Sequence, residues 1–155
     1  MLGARPFGNG GRGEKQVSER RSGRCLCGAV RFTTEGPLRG VIYCHCTQCR
    51  RQSGHYYAAT NVNDGCLAVE GAEHVTWFAA SPHAQRGFCR TCGSALFWKH
   101  AQLDHTSVLA GAFDEPSGLV SEAHIFVADK GDYYSLDDGL PQFQRSSGSV
   151  KVAGD

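Results

Sequence analysis

The chain has no apolar run approaching the roughly 20 residues that a membrane-spanning helix needs, which argues against a membrane anchor. It has no charge excess either: 16 Lys and Arg stand against 15 Asp and Glu. Such a balance gives little electrostatic pull on nucleic acid or an anionic membrane, so neither is expected as a partner. The first 22 residues lack the apolar core of a secretory signal, and Glu14 and Glu19 weigh against a mitochondrial presequence. Helical periodicity is scarce. Short apolar runs broken by Gly, Pro, Asn and Asp predominate, which is the pattern of an all-β domain.

Cysteine is plentiful, with eight in 155 residues. Seven of them cluster as C-x-C (Cys25, Cys27), C-x-C-x-x-C (Cys44, Cys46, Cys49) and C-x-x-C (Cys89, Cys92). Two cysteines one residue apart do not readily bridge to each other, whereas clustered thiolates suit a soft metal such as zinc. Without an export signal the expected compartment is reducing, hence cytoplasmic.

In chain order, residues 1–22 are rich in Gly, Arg and Ser and are expected to be a flexible extension. Residues 23–144 form the expected domain, and 145–155 a flexible tail. Arg24 to Thr34 reads as one strand carrying Cys25 and Cys27, with Val30 and Phe32 on one face and Gly28 allowing a bend. Val41 to Tyr43 reads as a strand, and Thr47 to Ser53 as a short helix N-capped by Thr47 and closed by Gly54. Cys66 to Glu70 and Val75 to Ala79 read as a hairpin around Gly71. Further strands are expected at 55–61, 95–98, 106–112 and 123–127, followed by an aromatic and acidic closing segment from Tyr133 to Phe143.

By spacing, the C-x-C and the later C-x-x-C can meet across the fold as a four-thiolate structural site of Cys25, Cys27, Cys89 and Cys92. Cys44, Cys46 and Cys49 remain. They either form a second closed site, completed by Cys66 or His45, or keep one position open, as catalytic zinc requires. Arg50 and Arg51 could offset the thiolate charge or hold a substrate carboxylate. Cys66 reads most simply as a small core residue.

Three stretches carry a resemblance: Gly23-Arg-Cys-Leu-Cys-Gly-Ala-Val-Arg-Phe32, Cys44-His-Cys-Thr-Gln-Cys-Arg-Arg-Gln-Ser-Gly54 and Phe88-Cys-Arg-Thr-Cys-Gly-Ser-Ala-Leu-Phe97. With His124 to Lys130 and Leu140 to Phe143, they resemble the glutathione-dependent formaldehyde-activating enzyme family, which also includes centromere protein V. The resemblance implies a tent-like arrangement of small antiparallel sheets stapled by zinc, with two zinc ions per chain. It places the structural zinc on Cys25, Cys27, Cys89 and Cys92 and the catalytic one on Cys44, Cys46 and Cys49. It also implies a carbon–sulfur lyase that joins a small thiol, glutathione, to formaldehyde and gives S-hydroxymethylglutathione. By its chemistry, His45 or His55 could shuttle the proton, although each reads more simply as a plain polar or partly buried histidine. The alternative is a non-catalytic zinc-binding interaction module.

Overall fold

The computed structural model describes residues 19–146. The expected extension and tail therefore lie mostly outside the described residues. Arg21 and Ser22 are already part of the first strand, two residues before the boundary drawn from composition.

Among the described residues, ten strands form two sheets. A three-stranded sheet has the order β1 (Arg21–Arg24), β2 (Arg31–Thr34), β5 (Leu67–Glu70) and is antiparallel throughout. The larger sheet contains β3 (Val41–Cys44), β4 (Tyr57–Asn63), β6 (Val75–Ala79), β7 (Ala84–Cys89), β8 (Ala95–His100), β9 (His105–Leu109) and β10 (Ser121–Ile125). Its order is β10-β3-β4-β9-β8-β7-β6. All its pairs are antiparallel except β10 with β3. The all-β expectation of small, mainly antiparallel sheets holds, with a single α-helix among the described residues, α1 (Thr47–Ser53).

Alternation builds the core. Val30 and Phe32 both turn inward and are buried with Val62, Leu96, Phe97, Val108 and Phe113. The Phe32 ring meets Phe113 edge-on at 5.1 Å and Phe97 at 6.0 Å. Cys25 and Cys89 are buried in the same cluster, so the four-cysteine group grows directly from the core.

Two expectations are corrected. The stretch Arg24 to Thr34 is not one strand. The chain reverses within it, as Cys25 N–H donates to Val30 O and Gly28 N–H to Cys25 O. Gly28 adopts φ of 77°, where a side chain would be strained. The C-x-C pair thus sits in the turn of the β1–β2 hairpin. Nor do the segments flanking Gly71 pair with each other. β5 joins β2, where Leu67 and Val69 pack on the core, while β6 joins β7 in the other sheet. Core burial on one side and strand pairing on the other outweigh the local hairpin signal.

Candidate metal centres and adjoining cavity

Two knuckles bring four sulfurs together. In the second, Cys89 N–H donates to Ser94 O and Gly93 N–H to Cys89 O, and Gly93 has φ of 78°. The two turns face each other, and the sulfurs of Cys25, Cys27, Cys89 and Cys92 all lie within 4.8 Å of one another. Cys25 to Cys27 is 3.5 Å and Cys27 to Cys89 is 3.8 Å. A tetrahedral zinc with bonds near 2.3 Å needs sulfurs about 3.8 Å apart, so this donor set fits that ion. The Val30 N–H points at Cys25 Sγ at 3.3 Å, and the Ser94 hydroxyl lies 3.2 Å from Cys92 Sγ. The Ser94 hydroxyl and backbone hold the Cys92 thiol down to about 5.

The second group is Cys44, Cys46 and Cys49, whose sulfurs also lie within 4.8 Å of one another. Cys44 ends β3. Cys46 is the N-cap of α1, its sulfur accepting from Cys49 N–H at 3.5 Å. The cap is therefore Cys46 and not Thr47, because the sulfur takes the amide that a threonine oxygen would have taken. Gly54 ends the helix as expected, with φ of 78° and its N–H on Arg50 O.

No fourth His, Cys, Asp or Glu joins these three sulfurs among the described residues. Cys66 is exposed and outside both groups, so it is neither the fourth ligand nor a core residue. The ring nitrogens of His45 are occupied by the Tyr134 hydroxyl and by His124 Nδ1. Three thiolates are the protein share of a zinc site whose remaining position goes to a non-protein ligand, and the group fits such an ion.

The charge partner comes from a distant strand. Arg86, in β7, is 5% exposed and places Nη2 3.4 Å from Cys49 Sγ. Its Nη1 donates to Gln52 Oε1 at 2.9 Å, and its guanidinium lies 5.3 Å from the centroid of the Tyr57 ring. Arg50 and Arg51, adjacent in sequence, make no ion pair or hydrogen bond to the sulfurs. Cys46 is the thiol held down, to about 2: hydrogen bonds from Cys44 and Cys49 lead, and the Arg86 charge adds to them against burial. Cys44 is pushed up, first by its hydrogen bonds with Cys46 and Cys49 and then by burial. At Cys49 the Cys44 hydrogen bond is outweighed by Cys46 and burial, and the thiol is pushed up to about 11.

The three cysteines open on a cavity of about 280 Å³. Strand alternation creates it: Ile42 and Cys44 face the cavity, while Tyr43 and His45 face the other side of the sheet. Tyr57, Ala59, Trp98 and Ile125 supply the apolar wall. Phe126 also lines it and has φ of 54°, alone among described non-glycine residues in the left-handed region. Neither His45 nor His55 lines this cavity, and His45 is the buried histidine of the simpler reading; His83 and His100 line the cavity.

Fold and site together define a mostly-β domain built round two cysteine groups with metal-binding geometry. The family model of the glutathione-dependent formaldehyde-activating enzymes matches residues 20–129, and the chain belongs to that family. A Halomonas elongata protein, provisionally named a glutathione-dependent formaldehyde-activating enzyme, is 30% identical over 129 residues. That match covers 74% of this chain and 80% of the relative. An uncharacterized lyase of Schizosaccharomyces pombe is 25% identical over 122 residues, covering 78% of this chain and 88% of the relative. A crystal structure of a Rhodobacter sphaeroides protein superposes with a TM-score of 0.53 at 28% identity, covering 64% of this chain and 97% of that one. No described helix is long and apolar enough to cross a membrane.

Proposed function

We propose that the chain is a zinc-dependent carbon–sulfur lyase that adds a thiol, glutathione, to formaldehyde or a related small carbonyl compound. The carrying observation is the set of three cysteine sulfurs, without a fourth donor among the described residues, opening on a cavity. The family and its lyase-named relatives support the same reaction class. A purely structural or interaction module would need neither the incomplete donor set nor the cavity beside it.

In the addition the S–H bond breaks, a C–S bond forms, and the proton ends on the former carbonyl oxygen. A zinc ion bound by Cys44, Cys46 and Cys49 would supply Lewis acidity and favour the thiolate form of a thiol. Arg86 beside Cys49 offsets the negative charge of the three sulfurs. Trp98, Ile125 and Phe126 give the cavity an apolar wall beside the three sulfurs. Cys25, Cys27, Cys89 and Cys92 would hold the structural zinc, which would fix the hairpin turn against the β7–β8 knuckle. None of the eight cysteines is joined in a disulfide, which suits a reducing compartment.

The test is Cys46→Ser, assayed by exchange NMR for the rate of S-hydroxymethylglutathione formation above the uncatalysed background. The variant is expected to fold, keep its four-cysteine zinc and lose that excess rate. An undiminished excess rate in the folded variant would remove the three-cysteine group from the reaction.

A further inference from the structure

The end of a β-sheet is a row of unpaired backbone groups, and folded chains guard it with a covering segment or a charge. Among the described residues, three of the four sheet edges are guarded. Beyond β10 the closing segment adds itself, His124 N–H donating to Pro141 O and Phe143 N–H to His124 O. Beyond β1, Asp114 N–H donates to Ser22 O, and Gly23 bridges to Phe113. β5 ends in the exposed carboxylate of Glu70. The fourth edge, β6, has neither device. Val75-Thr76-Trp77-Phe78-Ala79 contains no charge and no proline, and it leaves Trp77 43% and Phe78 62% exposed.

The register decides which backbone groups of β6 are free. His74 O accepts from Arg90 N–H, and Ala80 N–H donates to Ala84 O, so the even-numbered residues bond to β7. The odd-numbered residues point outward. Val75 N–H turns back to Ala72 O, which leaves Val75 O and both backbone groups of Trp77 and Ala79 on the outer edge. That row is complementary to itself when a copy is turned antiparallel about Trp77.

We propose that a second copy of the chain pairs here, β6 against β6, about a two-fold axis at Trp77. In that register Trp77 of each copy donates to and accepts from Trp77 of the other, and Ala79 N–H donates to Val75 O in both directions. The side chains match as well. Val75 faces Ala79, Phe78 faces Thr76 and the two Trp77 side chains lie abreast, with no like charges opposed. The pairing covers roughly 1,000 Å² in total, the size of a weak and reversible association. Phe78 stands opposite Arg86 of β7, so the joint runs one strand away from the residue that meets Cys49.

The test is sedimentation of the zinc-loaded full chain over a concentration series, with a phosphine reductant present so that exposed Cys66 cannot bridge copies. A dimer with a Kd on the order of 10–100 μM is expected. Ala79→Pro removes an outward N–H that β7 does not use, so the monomer keeps its ladder while the dimer weakens about tenfold or more. Thr76→Lys sets an ammonium group from each copy on one face of the joint and should weaken it similarly. Amide exchange at Trp77 and Ala79 should slow as concentration rises, while Thr76 and Phe78 stay protected throughout. A monomer at every concentration overturns the pairing and leaves the edge to a strand of another protein. Assembly beyond two copies, a dimer that both variants leave intact, or exchange at Trp77 and Ala79 that ignores concentration overturns it equally. Should Ala79→Pro not fold, Thr76→Lys decides alone.

Discussion

His45 Nε2 lies 2.8 Å from His124 Nδ1, and both rings are shut off from solvent. His124 Nε2 meets Asp138 Oδ2 at 2.9 Å, and His45 Nδ1 meets the Tyr134 hydroxyl. The hydrogen bond from His124 holds the Asp138 carboxyl below its usual range, so it is an acceptor at neutral pH. The carboxylate accepts from His124 Nε2–H; with both rings neutral, His45 then donates to His124 Nδ1 and the Tyr134 hydroxyl donates to His45. Burial is the leading cause that holds His45 down to about 4, consistent with a neutral ring. The network ties β3 and β10 to the closing segment, on the sheet face opposite the cavity.

His124→Ala is therefore expected to destabilise the domain by about 2–4 kcal/mol, from the lost volume and an unpaired buried His45 nitrogen. Exposed His55→Ala should change stability by no more than about 0.5 kcal/mol. Denaturant titration of both variants measures the difference, and equal costs would mean the buried chain contributes nothing.

Acid should loosen the same segment. Asp138 has a folded value below its unfolded one, about 3.9. Its contribution is present above that unfolded value and fades as pH falls through the folded value. Amide exchange across residues 130–143 should rise in that acid range in wild type. Asp138→Asn should exchange faster already at neutral pH and lack the acid step.

The cysteine groups, the helix Thr47–Ser53 and its Gly54 stop were legible in the sequence because each is a local pattern. The spacing of four cysteines also foretold which knuckles would meet, since a tetrahedral ion tolerates few pairings. What escaped was non-local. Gly71 looked like a hairpin turn, yet nothing in Cys66–Ala79 reveals that β2 and β7 lie waiting as partners. The arginines beside the cysteines in sequence attracted the charge argument, while Arg86 arrives from a strand 37 residues beyond Cys49. The Gly-rich composition near Arg21 also hid a strand whose order comes from pairing with Thr33 and Thr34.

Glycine substitutions should separate strain from collision. At Gly28 an added Cβ meets only Arg31 Nη2, at 3.6 Å, so Gly28→Ala pays for its positive φ alone, about 1–2 kcal/mol. At Gly71 the same φ sign is joined by a direct clash with the Ala29 carbonyl oxygen. Gly71→Ala should cost more than Gly28→Ala, by about 1–3 kcal/mol. Thermal unfolding of the two variants in parallel decides it, and equal midpoints would contradict the close approach of the turn to the β1–β2 hairpin.

Arg86 offers the sharpest test of the three-cysteine centre. A metal binds thiolates, so whatever favours their ionised form strengthens binding at a given pH. Arg86 is buried beside Cys49 and is the cation that does so; burial is the largest single influence on its guanidinium and lowers it, but the charge and hydrogen bond of Cys49 with the charges of Tyr57 and Cys46 together raise it above its usual value. Arg86→Gln should lower zinc retention at Cys44, Cys46 and Cys49 by about 10- to 100-fold in competition with a chelator. The deficit should widen as pH falls, because more of the thiol must then be deprotonated by the metal itself. Zinc at Cys25, Cys27, Cys89 and Cys92 should be unaffected and serves as the internal control. Arg86→Lys keeps the charge without the planar fork and should fall between. The double variant Arg50→Gln with Arg51→Gln should retain zinc as wild type does. If it instead loses zinc and Arg86→Gln does not, the charge partner is the neighbouring pair on α1 and the structural assignment of Arg86 is wrong.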